Sequence, residues 1–240
     1  MTEARPGTAG HVPGPSRGEL LWFKVARGIV WAACRMAWHY RVVGLENLPQ
    51  TTPYVLAPVH RSYIDTLLTG AMTSRRVRFM AKSGIFANPW AARLFGSLGG
   101  FPVKRGTADR EALLECGKAL AAGEPVVLFA EGTRSSGPVL APLLCGPAFV
   151  ALRANVPIVP VGIGGSERAM PVGARRVRFN RIVVVVGEPI WPPPTGPGAR
   201  VARRGVDELT EQLREKLQAV FDEARMLAGV DDAGEAGPPE

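Results

Sequence analysis

Tyr54-Val55-Leu56-Ala57-Pro58-Val59-His60-Arg61-Ser62-Tyr63-Ile64-Asp65 is the stretch on which the fold turns. Its apolar half, residues 54–59, has the length of a buried strand and stops at a cluster of polar side chains, as a strand does when it enters a turn. Apolar runs of the same kind recur at residues 77–81, 101–104, 125–130, 158–162 and 182–186, each bounded by Gly, Pro or polar residues. Between 101–104 and 125–130 lies a helix signal. Thr107 or Asp109 opens it, Leu113, Leu114, Leu120 and Ala121 repeat at helical spacing, and Gly123 closes it. Strand, helix, strand in that order predicts an α/β fold with a mainly parallel sheet covered by helices.

Outside this body the chain divides by composition. Residues 1–17 are rich in Pro and Gly and poor in apolar side chains, which predicts a disordered leader. Residues 18–41 hold Trp22, Trp31 and Trp38, three of the five tryptophans, with Leu20, Leu21, Phe23, Val25, Ile29 and Met36 interleaved among Lys24, Arg27, Arg35, His39 and Arg41. A basic amphipathic helix of that composition suits a lipid headgroup region, where aromatics sit at the water boundary and cations meet anionic phosphates. The competing expectation is a helix packed on the domain, but the apolar positions cover more than one face. Residues 42–228 form the main domain and end in a helix over 206–228, with Leu209, Leu213, Leu217, Val220, Ala224 and Leu227 on one face and Gly229 as its stop. The remainder, 229–240, is an acidic tail expected to be flexible.

Composition narrows the function. With 46% hydrophobic and 21% charged residues over 240 positions, the chain can bury a sizeable core. The formal net charge is +8, even though Asp231, Asp232, Glu235 and Glu240 crowd the last ten positions. Such a surplus favours an anionic partner: nucleic acid, an anionic membrane surface, or a phosphorylated or CoA-type substrate. Nucleic acid is disfavoured, because no helix-turn-helix, RRM, KH or zinc-finger pattern is present. Cys34, Cys116 and Cys145 are too few for a disulfide framework and have no metal-ligand spacing, so a reducing compartment and no metal are expected. No apolar run follows a basic start, which argues against a secretory signal. The longest uncharged stretch, 135–152, is broken by Pro138, Pro142 and Pro147 and is not a membrane span.

Four segments concentrate chemistry. His60 and Asp65, five apart, would lie about 140° from each other on a continuous helix, so they meet only if His60 sits in the turn before the helix and Asp65 in its first turn. A carboxylate on one imidazole nitrogen fixes the tautomer and favours the cation formed when the other takes a proton, which makes His60 a candidate general base. Gly99-Gly100-Phe101-Pro102-Val103-Lys104-Arg105 ends a strand with two cations, Arg105 suited to grip a phosphate and Lys104 to act as a point charge. An apolar strand runs into Glu131-Gly132-Thr133-Arg134-Ser135, a polar concentration that packing does not explain. Finally Val156-Pro157-Ile158-Val159-Pro160-Val161-Gly162 is an apolar strand whose prolines predict a sheet edge or a bulge.

In order and spacing these four blocks resemble the PlsC-type glycerolipid acyltransferases, the 1-acylglycerol-3-phosphate O-acyltransferase family. The resemblance runs from Gly44-Leu45-Glu46-Asn47-Leu48-Pro49 to Gly187-Glu188-Pro189-Ile190. It implies that His60 is the base and Asp65 its orienter, and that Arg61, Ser62, Lys104, Arg105, Glu131, Gly132, Thr133 and Arg134 bind substrate. It further implies an acyl-CoA or acyl carrier protein donor, a lysophospholipid acceptor, no cofactor, and peripheral attachment to anionic lipid at the cytoplasmic face of the cell membrane. Two positions depart from the family pattern. Val59 stands where members carry Asn, and Leu143-Leu144-Cys145-Gly146 stands where many carry a Phe-Lys pair before the glycine. The oxyanion of the transfer is expected to meet backbone N–H groups of the His60 or the Gly132 turn. The alternatives are the same chemistry on a glycolipid or aminolipid, a hydrolase with Ser62 or Ser135 as nucleophile, and a non-catalytic basic lipid- or nucleic-acid-binding protein.

Overall fold

The computed structural model describes residues 17–82, 84, 87–103, 108–171, 173–174, 176–194 and 201–230. The strands are β1 (Arg41–Val43), β2 (Val55–Pro58), β3 (Arg78–Lys82), β4 (Gly100–Val103), β5 (Val126–Val127), β6 (Ile158–Gly164) and β7 (Val183–Val186). The helices are α1 (Arg17–Trp38), α2 (Asp65–Met72), α3 (Pro89–Ser97), α4 (Ala108–Ala121), α5 (Gly146–Ala154), α6 (Ser166–Ala169) and α7 (Arg203–Ala228). The strands form one sheet in the order β1-β7-β6-β2-β5-β3-β4. Every neighbouring pair is parallel except β6 and β7. The expected mainly parallel α/β sheet with flanking N- and C-terminal helices is therefore what the chain forms.

β6 is central in the sheet, so of the two readings of its prolines the edge falls and the bulge holds. Along β6 the odd residues bond to β2, as in the Val59 N–H to Val161 carbonyl bond of 3.0 Å, and the even residues face β7. Pro160 thus lacks its N–H on the β7 side. There the ladder is out of step: Val161 lies opposite Val186, yet Ile158 pairs with Ile190, leaving Gly187, Glu188 and Pro189 against only two residues of β6. The bulge absorbs the missing donor, and the Gly187 N–H still reaches the Pro160 carbonyl at 2.9 Å.

α7 lies along β6 and β7, burying Val206, Leu209, Leu213, Leu217, Phe221 and Ala224. Each of the large ones contributes about 1.5–3 kcal/mol by leaving water. Gly162 and Gly164 make the approach close, since a Cβ on either would run into the α7 backbone at Val220 and Ala224. Gly229 ends the helix in a left-handed conformation, and Val230, assigned by composition to the flexible tail, is buried beside it.

α1 is shorter than the expected 18–41 segment. It stops where His39 turns left-handed, and Arg41 already belongs to β1, a strand the sequence reading missed. One face, with Phe23, Ala26, Cys34 and Trp38, packs on the domain, while Leu21, Trp22, Val25, Ile29 and Met36 stand exposed. Two of its cations serve the fold: Arg27 donates to the Ala71 carbonyl and Arg35 to that of Tyr40, each at 3.2 Å. Among the described residues no helix is long and apolar enough to cross a membrane. Of the expected leader, 1–17, Arg17 already belongs to α1, and residues 1–16, like residues 231–240 of the expected tail 229–240, lie outside the described residues.

Candidate active site

Register places the site. Val55 of β2 lies opposite Val126 of β5, and Leu56 opposite Val127, so the chains leave the sheet with His60 level with Glu131. The His60 N–H donates to Glu131 Oε1 at 3.1 Å, and the Ser135 N–H to the His60 carbonyl at 2.9 Å. Two loops that follow adjacent parallel strands are thereby tied together at the carboxyl end of the sheet, where open α/β folds collect ligands.

His60 and Asp65 meet as their spacing requires. His60 Nδ1 lies 3.1 Å from Asp65 Oδ2, with Asp65 fully buried and His60 18% exposed. The same Oδ2 accepts the N–H groups of Arg61 and Ser62, both at 2.6 Å. An oxygen already accepting two N–H bonds is an acceptor toward the imidazole as well. Nδ1 therefore carries the ring proton, and Nε2 presents its lone pair. The ring is held from the side by Phe129, stacked at 4.0 Å between centroids and 26° between planes. Sequence reasoning missed Phe129, because its role exists only once β5 is known to be the neighbour of β2.

Arg61, Ser62 and Glu131 are buried, and apart from Arg61 Nε their polar side-chain atoms are spent inside the protein. Arg61 Nη1 bonds Glu131 Oε2 at 2.7 Å, Nη2 reaches the Val139 carbonyl at 3.2 Å, and its guanidinium covers the Phe221 ring of α7 at 4.8 Å. Glu131 Oε2 also accepts the Ala141 N–H at 3.1 Å. Ser62 Oγ donates to the Met170 carbonyl at 2.7 Å, a bond that leaves it poorly placed as a nucleophile. These three residues brace the turn. Gly132, Thr133 and Arg134 are the surface members of their block, and Arg134 lies 3.6 Å over the ring of the exposed Tyr63, beside the His60 turn. Leu144 covers Gly132 so closely that a Cβ there would strike its side chain. Val59, in place of the family's Asn, is fully buried in the core.

Of the donors expected at an oxyanion, the N–H groups of His60, Arg61, Ser62 and Gly132 all have protein acceptors, which removes them from that role. Lys104 and Arg105 lie outside the described residues. The close approaches permitted by Gly99 and Gly100 are within the protein: a Cβ on Gly99 would meet the Val77 carbonyl just before β3, and one on Gly100 the Phe95 carbonyl of α3. A further acid, Glu167 of α6, lies within electrostatic reach of Asp65, with both carboxylate oxygens buried and without a well-formed hydrogen bond. Burial pushes its pKa upward, Asp65 adds to the push, and backbone N–H groups and Arg225 oppose it. Nothing in the local sequence separates Glu167 from an ordinary helix-start acid.

A histidine oriented by a buried carboxylate, at the carboxyl end of a parallel strand and braced by a second loop, defines an α/β protein built around a positioned base. The family whose description is Acyltransferase matches residues 39–164, more than half the chain and the span that holds His60, Asp65, Phe129 and the Glu131–Arg134 block, and the chain belongs to that family. It is 30% identical over 168 residues to a chloroplast 1-acyl-sn-glycerol-3-phosphate acyltransferase of Brassica napus, covering 68% of this chain and 48% of that protein. A Bacillus subtilis 1-acyl-sn-glycerol-3-phosphate acyltransferase is 28% identical over 62% of this chain and 73% of its own. The chain thus spans about half the length of the plant relative. Its fold is shared with the crystal structure of PlsC, the 1-acyl-sn-glycerophosphate acyltransferase of Thermotoga maritima, at a TM-score of 0.66 and 21% identity over 85% of this chain and 78% of the other.

Proposed function

We propose that the protein transfers an acyl group from acyl-CoA or acyl carrier protein to the hydroxyl of a lysophospholipid, with 1-acylglycerol-3-phosphate as acceptor and phosphatidate as product. The observation that carries this reading is the His60 to Asp65 contact of 3.1 Å, with Nδ1 committed to the carboxylate. Nε2 takes the proton of the acceptor hydroxyl as its oxygen bonds to the thioester carbon. The tetrahedral intermediate then collapses, the carbon–sulfur bond breaks, and the leaving thiolate receives the proton from His60. The reaction as written uses no metal or redox cofactor. With the other donors occupied, the Thr133 and Arg134 end of the Gly132 turn is assigned to the oxyanion and the acceptor phosphate. Both relatives are named as acting on the same acceptor, which supports it here. The exposed apolar face of α1 rests on an anionic bilayer from which the acceptor is drawn, making the attachment peripheral.

The test is release of thiol from acyl-CoA with lysophosphatidate in anionic vesicles. Cys145, an exposed thiol, is blocked beforehand so that the reagent reports product alone. His60→Ala is expected to lower turnover about 10²- to 10⁴-fold, the worth of general base catalysis, with an unchanged melting temperature. Turnover retained by that variant removes His60 from the mechanism, and release with a sugar lipid but not with lysophosphatidate replaces the acceptor.

A further inference from the structure

The connection from α6 to β7 carries Arg176-Val177-Arg178-Phe179-Asn180-Arg181, and it presents an unusual surface. Phe179 is 77% exposed and Val177 43%, with the exposed Arg176, Arg178 and Arg181 alternating around them. Among the described residues none of these three arginines forms a salt bridge with a protein carboxylate. One exposed apolar side chain would be ordinary, but Phe179 and Val177 side by side with a rim of arginines have the pattern of an interaction surface.

The segment is also fixed in place. The Arg178 N–H bonds the Ala169 carbonyl at 2.8 Å, and the Arg178 carbonyl accepts from Trp38 Nε1 at 2.9 Å. Asn180 Nδ2 donates to the Gly165 and Arg181 carbonyls at 2.8 and 2.9 Å. Phe179 is therefore held outward between two pinned neighbours.

Its place in the fold gives the exposure a direction. Gly164 at the end of β6 pairs with Val183 at the start of β7, so the connection lies at the carboxyl end of β6 and of its parallel neighbour β2, the end that bears His60. One end of the connection, Met170, receives the Ser62 hydroxyl of the His60 turn. At the other end, the Ile182 N–H bonds the Trp38 carbonyl at the end of α1. The segment thus spans from the site turn to the helix whose apolar face is exposed.

We infer that residues 176–181 are a second bilayer contact, in which Phe179 and Val177 enter the headgroup layer while Arg176, Arg178 and Arg181 bind anionic lipid phosphates, so that the His60 end of the sheet faces the membrane. The inference rests on the lipid acceptor proposed above. Alternating arginines and exposed apolar side chains fit a surface that is anionic outside and apolar a few ångströms below, and each arginine near such a surface adds about fivefold to the affinity.

The test is co-sedimentation of the full chain with vesicles of phosphatidylcholine alone and with added phosphatidylglycerol, read beside turnover on a short-chain acceptor below its micellar concentration. The Arg176→Gln, Arg178→Gln, Arg181→Gln triple variant is expected to bind anionic vesicles about tenfold or more weakly than wild type. Phe179→Ser should weaken binding to both vesicle types, and neither variant should change turnover on the soluble acceptor. Wild-type affinity in the triple variant overturns the inference, as does a wild-type protein that ignores vesicles. Loss of soluble-acceptor turnover in the triple variant also overturns it, because the arginines would then hold substrate. Turnover on the soluble acceptor in wild type tests the proposed reaction separately, whichever way the vesicles behave.

Discussion

The turn that carries His60 and the segment that carries Phe179 stand at the same end of the sheet and are built in opposite ways. In the turn, Asp65 Oδ2 gathers two backbone N–H groups and an imidazole, and Glu131 gathers the His60 N–H, the Arg61 guanidinium and the Ala141 N–H. The side chains hold the backbone. In the 176–181 segment the backbone and Asn180 make the fixed contacts, and the arginine and apolar side chains are left outside. A catalytic base needs its position over-determined, because small misplacements cost large factors in rate. A docking surface needs its side chains unspent.

The comparison breaks first at Glu131. Arg61 is 1% exposed and its pair with Glu131 is wholly buried, so removing the acid strands a guanidinium inside the protein. Glu131→Ala is expected to cost about 3–5 kcal/mol, read as a lower urea midpoint, and to reduce turnover through the lost tie to the His60 N–H. Turnover lost without a stability change would make Glu131 a substrate ligand, as the family resemblance implied, and would end the contrast.

How much of this was legible follows from range. The strand runs, the α7 face with Leu209, Leu213 and Leu217, and the His60 to Asp65 geometry depend on spacings within a few residues, and spacing is what a sequence records. The prolines of β6 left a sheet edge and a bulge both open, and only the partner strand decides for the bulge, because its extra residue lies some thirty residues away at Gly187. β1 was missed because Arg41–Val43 is too short to show a period. The roles of Phe129, Arg61 and Glu131 depend on which strands are neighbours. α1 read as apolar on more than one face because two surfaces use it, one packed on the domain and one exposed.

Glu167 sharpens the contrast from inside. Its carboxylate is buried near the site turn without the bonds that Asp65 and Glu131 enjoy, and burial raises its pKa above the ordinary value of 4.5. The folded protein therefore holds this proton more tightly than the unfolded chain does. The penalty is absent below pH 4.5 and grows as pH rises through the folded value. Glu167→Gln has no charge to bury and is expected to be more stable at pH 8 by about 1 kcal/mol, or roughly 2–4 °C in melting temperature, with the gain vanishing at pH 4. A variant less stable at pH 8 would mean that Arg225 depends on this acid, and Glu167 would then join the braced residues.

The smallest expected effect on stability is at Ile29, and it tests the outer region alone. Ile29 is 65% exposed on α1, and serine has nearly the helix propensity of isoleucine, so Ile29→Ser changes the apolar surface and little else. A residue that contributes to the fold would lower the melting temperature on such a change. One kept for a bilayer should leave stability within about 0.5 kcal/mol and weaken vesicle binding. Because the α1 face is apolar and the 176–181 segment is basic, the two should also differ in salt: binding by Ile29→Ser should remain salt-sensitive, whereas binding by the triple arginine variant should lose most of its salt dependence. Equal salt dependence in both variants would mean that the two surfaces do not divide the contact in this way, and that α1 carries the electrostatic attraction as well.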